Sequence, residues 1–280
     1  MHRKFDPENT IKLVAQYKCD SLVVVPTMLT RIIDLGPDVL SKYDTSNLKI
    51  IFSAGSSLSP DLCKRVTASF GYVLYNLYGS TEVAVATVAT PEDLTIAPGT
   101  AGRAPVTCHV ELFDENNKKI TTPPHTIGRI FVASGLSFEG YTDGRDKERI
   151  DGLLSTGDVG HFDANGLLFV DGRDDDMIVS GGENVYPLEV ENLLADREDV
   201  LEAAVIGVED ADFGHRLRAF VVVAHGADQN SDELKDHVRS NLARYKVPPR
   251  EIVFIDELPP RNATGKLLRR VLIEMEISED

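Results

Sequence analysis

The segment YNLYGSTEVA, residues 75–84, combines side chains that suit a nucleotide and its metal ion. It follows a predicted buried strand, and open α/β sheets bind ligands where their strands end. Tyr78 could stack on a flat base, and Gly79 would let the backbone approach a ligand closely. Thr81 offers a hydroxyl to phosphate, and Glu82 offers a hard oxygen ligand to Mg2+. The same residues are equally typical of an ordinary turn, so this segment alone leaves both interpretations open.

A carboxylate and two basic side chains lie further along the chain. Asp158 follows Thr156-Gly157 at a predicted turn, where a carboxylate could accept two hydrogen bonds from a ribose. Arg173 could add a ribose or phosphate contact. Lys266, after a glycine at a predicted helix start, could bind a phosphate oxygen. Taken singly, each favours an ordinary role: a turn residue, a surface salt bridge and a solvated lysine.

Composition and missing motifs narrow the class of protein. The formal net charge is −16 and the pI about 4.8, an average field that repels duplex nucleic acid and anionic membranes. The pattern of a P-loop fails at Pro260, and the motifs G-x-S-x-G, H-E-x-x-H and G-x-G-x-x-G are absent. Three scattered cysteines and the lack of an apolar leader or membrane-length apolar run predict a cytoplasmic protein.

The surrounding pattern predicts the elements that must position these residues. Residues 1–105 alternate helical periodicity with short apolar runs, the βαβ rhythm of a parallel sheet covered by helices, with Ser59 as one helix N-cap. Residues 106–173 are typical of a small antiparallel β subdomain, in which HVELFDENNKKIT predicts a strand, a turn and a second strand. We therefore predict a large α/β domain over residues 1–173 and a smaller α+β domain over residues 174–280.

Four motifs in this order carry a resemblance that none carries alone. YNLYGSTE, STGD, GRDDDMIVSGGENVYPLEVE and PRNATGK together resemble the adenylate-forming (AMP-binding) superfamily, most closely its acyl-CoA synthetase and long-chain fatty-acid–CoA ligase branch. The resemblance runs from about Phe5 to about Val271. It implies an ATP-dependent ligase that converts a fatty acid and coenzyme A, through an acyl-adenylate, to acyl-CoA, AMP and pyrophosphate.

The resemblance also implies a nucleotide site with ATP or AMP and Mg2+ as ligands. Thr81 would touch the α-phosphate, Glu82 would hold Mg2+, and Lys266 would steady the reacting carboxylate and the α-phosphate. The residues implied at the adenine and the ribose are Gly55, Ser56, Ser57, Tyr78, Gly79, Asp158 and Arg173.

A second step, with coenzyme A, is implied for the end of the chain. Gly181 and Gly182 would border the pantetheine channel, with Phe213 and Lys246 as further coenzyme A contacts. Asp175 falls at the family's hinge position, so the aspartate run after Arg173 is interpreted as a joint rather than a metal site.

One part of the family pattern has no match. The phosphate loop of the form S-G-T-T-G-x-P-K-G is not found between Met1 and Gly55. We therefore expect a C-terminal portion of such an enzyme, inactive in adenylation by itself and prone to self-association through an uncovered sheet face. Two alternatives stay open: an adenylation domain that loads a carrier protein, and a non-catalytic nucleotide-binding or scaffold fragment.

Overall fold

Helices and parallel strands alternate in the first part of the chain, as the sequence predicts. The computed structural model describes residues 5–121, 124–224, 226–243, 246, 252–260 and 267–275. The elements before residue 105 are α1 Pro7–Gln16, β1 Ser21–Val24, α2 Pro26–Ile33, α3 Pro37–Leu40, β2 Ile50–Ala54, α4 Pro60–Phe70, β3 Leu74–Tyr78, β4 Thr87–Ala89 and α5 Pro91–Ile96. Each of these helices begins with a proline, whose fixed φ and missing N–H suit the first helical position.

The first sheet has the strand order β1-β2-β3-β4, with β1, β2 and β3 parallel and β4 antiparallel to β3. On one face, Ile51 and Leu74 lie side by side and belong to a core that includes residues of α2 and α4. On the other face, Val23, Phe52 and Tyr75 form the next row in register. Val23 is 76% exposed, so this second face is open to solvent where it reaches β1.

The second sheet is antiparallel and has the order β5-β6-β8-β7, with β9 beside β8. Its strands are β5 Cys108–Phe113, β6 Gly128–Ser134, β7 Arg149–Ile150, β8 Leu153–Phe162 and β9 Leu168–Arg173. The prediction of a strand, a turn and a second strand in HVELFDENNKKIT is wrong for the second strand. In its place the chain forms one isolated bridge, between Phe113 and Lys119. The Asp114 carboxylate accepts the N–H groups of Asn116 and Lys118, and this takes donors that a ladder would need.

The chain separates into two compact units, Met1–Val170 and Asp171–Asp280. The division of the chain at Arg173 into functional domains stays a prediction. The second unit contains a sheet of order β11-β10-β13-β12 with β14 beside β13. Its elements are β10 Ile178–Ser180, β11 Glu183–Val185, α6 Pro187–Ala195, β12 Val200–Asp210, β13 Gly214–Val223, α7 Ser231–Asn241, β14 Ile252–Phe254 and α8 Arg269–Glu274.

Helices cover both faces of this sheet because its central strands alternate apolar side chains to either side. On one face, Val205 and Val221 share a core with residues of α6 and α7. On the other, Ile206 and Phe220 share a core with Leu272 of α8. Within the residues that the structure describes, no helix is both long enough and apolar enough to span a membrane.

Candidate nucleotide and coenzyme A sites

The carboxyl ends of β2 and β3 bring two of the predicted nucleotide segments to one sheet edge. Ala54 pairs with Leu77, and the parallel register then sets Gly55 level with Tyr78. Gly55 has a φ of +95°, which favours glycine, and the chain leaves the strand there. Ser56 and Ser57 are exposed beyond it. The segment predicted to line the adenine therefore lies beside the predicted stacking tyrosine.

The loop after β3 folds back tightly on itself. The Ala86 N–H donates to the Tyr78 carbonyl oxygen at 2.9 Å, and Ala84 has a φ of +59°. A Cβ on Gly79 would lie 2.0 Å from the Ala84 carbonyl oxygen. Glycine is thus required at position 79 by the close approach of the loop's own backbone. Within this loop Thr81 is exposed and Glu82 is half-buried.

Asp158 lies inside β8, and the turn predicted at this position is wrong. Val159 pairs with Arg129 and Ser155 with Phe131, so one residue of β6 faces three residues of β8. This is a β-bulge, which bends a strand and re-aims a side chain. The Thr156 hydroxyl donates to the Ile130 carbonyl oxygen at 3.0 Å and accepts the Asp158 N–H at 3.1 Å.

Two sequence-predicted residues that are 80 positions apart meet at the bulge. The Tyr78 hydroxyl donates to Oδ2 of Asp158 over 2.6 Å, and both side chains are half-buried. This contact fixes the orientation of the aromatic ring and places a carboxylate next to it. A flat base with an attached ribose requires the same two groups, a ring to stack on and a carboxylate that accepts hydroxyl hydrogen bonds.

Both the side chain and the backbone of Glu82 accept hydrogen bonds from residues that the sequence did not single out. The Tyr141 hydroxyl donates to Oε1 of Glu82 at 2.7 Å, and the Phe138 N–H donates to the Glu82 carbonyl oxygen at 2.7 Å. Burial raises the pKa of Glu82. Hydrogen bonds from Tyr141 and Ser80 and the positive charge of Lys147 lower it, and together they outweigh the effect of burial. The net pKa lies below its ordinary value, so the carboxylate is anionic at neutral pH.

Lys147 is a second residue that sequence reasoning missed. Its Nζ donates to the Thr156 carbonyl oxygen at 3.4 Å, next to the bulge that carries Asp158. Neither Tyr141 nor Lys147 lies in a periodic or motif-like segment, since FEGYTDGRDK reads as a polar loop. Only the pairing of distant strands brings this loop to Glu82.

In the second unit, Gly181 and Gly182 connect β10 to β11 as a two-residue hairpin. Their φ values are +61° and +87°, the conformation of a type I′ turn, which explains a glycine pair. The Gly181 N–H donates to the Phe213 carbonyl oxygen at 2.9 Å, and a Cβ on Gly181 would lie 2.8 Å from Cδ1 of Phe213. Phe213 is 43% exposed, and the Arg216 guanidinium lies 3.7 Å from its ring centroid. The structure therefore brings three of the four predicted coenzyme A residues together.

The fourth, Lys246, makes a different contact: its Nζ donates to Oε2 of Glu189 at 2.5 Å. Lys266 lies outside the described residues.

The predicted joint contains both paired and exposed aspartates. Arg173 Nε donates to Oδ1 of Asp175 at 3.0 Å, and the Asp175 side chain is 67% exposed. Asp176 instead pairs with Arg269 over 3.4 Å. Arg269 also binds the buried Glu191 carboxylate with two nitrogens, at 2.5 and 3.0 Å. Burial lowers the pKa of Arg269, but its bonds to Glu191 and the charge of Asp176 raise it above the ordinary value.

Known proteins show the same arrangement of segments. Residues 1–142 match the family model described as AMP-binding enzyme, and residues 189–266 match the AMP-binding enzyme C-terminal domain. An indoleacetate–CoA ligase of Aromatoleum aromaticum is 35% identical over 271 residues, which are 95% of this chain and 52% of the relative. A long-chain-fatty-acid–CoA ligase of Bacillus subtilis is 33% identical over 276 residues, 98% of this chain and 48% of the relative.

A solved structure agrees in fold. The o-succinylbenzoate CoA synthetase of Bacillus subtilis, in complex with its acyl-adenylate intermediate, superposes with a TM-score of 0.84 at 28% identity, over 98% of this chain and 55% of that protein. The chain spans about half the length of the curated relatives it matches. The mixed α/β fold corresponds to the C-terminal portion of the fold of these enzymes. On both sequence and structure, this chain belongs to the AMP-binding, adenylate-forming enzyme family, in its acyl-CoA synthetase branch.

Proposed function

We propose that this chain supplies the nucleotide site and the thioester-forming region of an ATP-dependent acyl-CoA ligase. The reaction joins a carboxylic acid to coenzyme A through an acyl-adenylate and releases AMP and pyrophosphate. The observation that carries the proposal is the contact between Tyr78 and Asp158 at the carboxyl edge of the parallel sheet. It supports an adenosine site in which Tyr78 and residues 55–57 flank the base and Asp158 binds the ribose.

The proposed adenylation step needs no general base from the protein. A carboxylic acid is already ionised at pH 7 and can attack the α-phosphate directly. The barrier is the crowding of negative charge, which positioned cations and hydrogen-bond donors relieve. Thr81 would donate to the α-phosphate, and Lys266 would steady both reacting anions.

Glu82 fits a magnesium ligand because it is an ionised, half-buried carboxylate beside the proposed phosphate position. Among the described residues no three His, Cys, Asp or Glu side chains converge on one point, so substrate phosphates would complete the coordination. When bound, Mg2+ would neutralise phosphate charge.

For the thioester step, we propose that the Gly181-Gly182 turn borders the pantetheine arm. The turn has no side chain of its own, and nothing lies within 4 Å of the Cβ position of Gly182, which supports an open approach. Phe213 would supply an apolar wall, and Lys246 a charge for the coenzyme A phosphates. Asp175 is the proposed hinge between the two half-reactions, since it is exposed and lies near the start of the second unit.

The acid is proposed to be a fatty or an aryl carboxylate, as in the two curated relatives named above. We also propose that this 280-residue chain does not adenylate an acid by itself. ATP–pyrophosphate exchange by the purified chain would contradict that statement.

The nucleotide site is tested by calorimetric titration with AMP and with a non-hydrolysable acyl-AMP mimic. We expect binding by the wild-type chain and its loss in Asp158→Ala. Asp38→Ala, which removes an exposed carboxylate on α3, is the matched control and should bind normally. If the wild-type chain binds neither compound, a scaffold without nucleotide is favoured over a ligase. Thioester formation with coenzyme A, compared with a phosphopantetheinylated carrier protein, separates the ligase from a carrier-loading adenylation domain.

A further inference from the structure

Lys147, in the loop between β6 and β7, differs from the nearest basic residues on either side of it. Arg145 pairs with Asp143 at 2.7 Å, and Arg149 pairs with Asp146 at 3.1 Å. Both arginine charges are therefore neutralised by adjacent carboxylates. The Lys147 ammonium instead donates to the carbonyl oxygen of Thr156. A carbonyl oxygen carries no net charge, so this contact does not neutralise the ammonium as a carboxylate would.

The position of this charge relates it to the proposed nucleotide site. Thr156 is the residue whose hydroxyl supports the Asp158 N–H, so the Lys147 ammonium lies at the strand bulge that positions Asp158. The same ammonium acts electrostatically on the Glu82 carboxylate and helps to keep its pKa low. Lys147 thus lies within electrostatic range of the proposed metal ligand and next to the strand segment that carries the proposed ribose ligand.

The hydrogen bond that Lys147 makes is a weak one. Its length of 3.4 Å exceeds the usual 2.7–3.2 Å of an N–H···O bond. A phosphate oxygen is a stronger acceptor for an ammonium group than a carbonyl oxygen, because it carries a negative charge that attracts the ammonium. The long, flexible lysine stem allows the ammonium to exchange one acceptor for the other.

We propose that Lys147 is a phosphate-binding residue of the nucleotide site, and that it contacts the phosphate of the adenylate group directly. This inference rests on the proposed function, because it requires adenosine to bind at Asp158. The phosphate would then be bound by two cations: Lys147 of the first unit, and Lys266, which the family resemblance implies. In a chain of net charge −16, such a cation would lower the electrostatic cost of bringing a nucleotide phosphate next to Glu82 and Asp158.

The test compares two ligands that differ only in the phosphate. AMP and adenosine are titrated by calorimetry in EDTA, so that no metal ion bridges the protein and the phosphate. Lys147→Met should weaken AMP binding at least about tenfold, the low end for a hydrogen bond to a charged group. Its affinity for adenosine should stay that of the wild type. Lys147→Arg should restore most of the AMP affinity, because it keeps the charge.

Controls separate this role from a structural one. Lys42→Met removes the same charge from an exposed position and should leave AMP binding unchanged. Equal losses for AMP and adenosine in Lys147→Met would show that the lysine only supports the bulge, and would overturn the proposal. Unchanged AMP binding in this variant would overturn it while leaving the nucleotide site intact. Absence of AMP binding in the wild type would refute the nucleotide site and the role of Lys147 together.

Discussion

The hydrogen bond between Tyr78 and Asp158 can be measured by a double-mutant cycle. Tyr78→Phe removes the donor, Asp158→Asn removes the charge of the acceptor, and the double variant removes both. The 2.6 Å distance is that of a charge-assisted O–H···O bond. Such bonds contribute about 1.5–3 kcal/mol, and half-burial favours the lower value. We expect each single variant to destabilise the first unit by about 1.5 kcal/mol, and the double variant to cost clearly less than the sum.

Amide hydrogen exchange is the suitable assay because it reports each unit separately. A loss of about 1.4 kcal/mol corresponds to about tenfold lower protection of the most stable amides of β3 and β8. Amides of β12, in the second unit, provide an internal control and should exchange at the wild-type rate. Strict additivity of the two single variants would refute the reasoning, because it would mean that the two side chains do not act on each other.

Three further predictions follow from the glycine turn, the Glu82 carboxylate and the open sheet face. Gly181→Ala should lower the free energy of unfolding by more than Gly182→Ala: both require a positive φ, which costs about 1–2 kcal/mol, but only the first places a Cβ 2.8 Å from a phenylalanine ring. Urea unfolding with equal losses in both variants would contradict this. Tyr141→Phe should raise the pKa of Glu82, measured by NMR titration, because it removes a hydrogen bond that lowers that pKa. The folded-state pKa of Glu82 lies below its unfolded value, so its contribution to stability is present above the unfolded pKa, is lost as the pH falls, and should be smaller in the variant. Val23→Lys should reduce the self-association of the chain in light scattering, since it places a charge on the open face of an edge strand; a monodisperse wild-type monomer would show that this face does not associate.

Local features of the fold were predictable from the sequence because they depend on neighbouring residues. The Ser59 N-cap is confirmed: its hydroxyl accepts the Leu62 N–H at 3.1 Å. The short apolar runs that form β1, β2 and β3 are also where the sequence places them. Capping chemistry and apolar runs act over a few residues, so a single sequence displays them directly.

Features that depend on distant pairing could not be read in this way. The position of Asp158 follows from the register between β6 and β8. The residues around STGD do not indicate that one residue of β6 faces three of β8. Tyr141 meets Glu82 across 59 residues of chain, and Lys147 reaches Thr156 through a strand pairing. The prediction of a second strand after Asp114 failed for the opposite reason, since a local side chain–backbone contact prevailed over an apparent strand pattern.

The ion pairs of Arg269 have a consequence for the order in which the second unit can form during synthesis. Glu191 leaves the ribosome 78 residues before the arginine that neutralises it. A buried carboxylate without its cation costs several kcal/mol, so α6 cannot settle fully against β12 while Arg269 is still unmade. We therefore expect the second unit to complete its fold only after Arg269 has left the ribosome. Translation that stops shortly before residue 269 would leave this unit open to proteases, although most of its strands were already present.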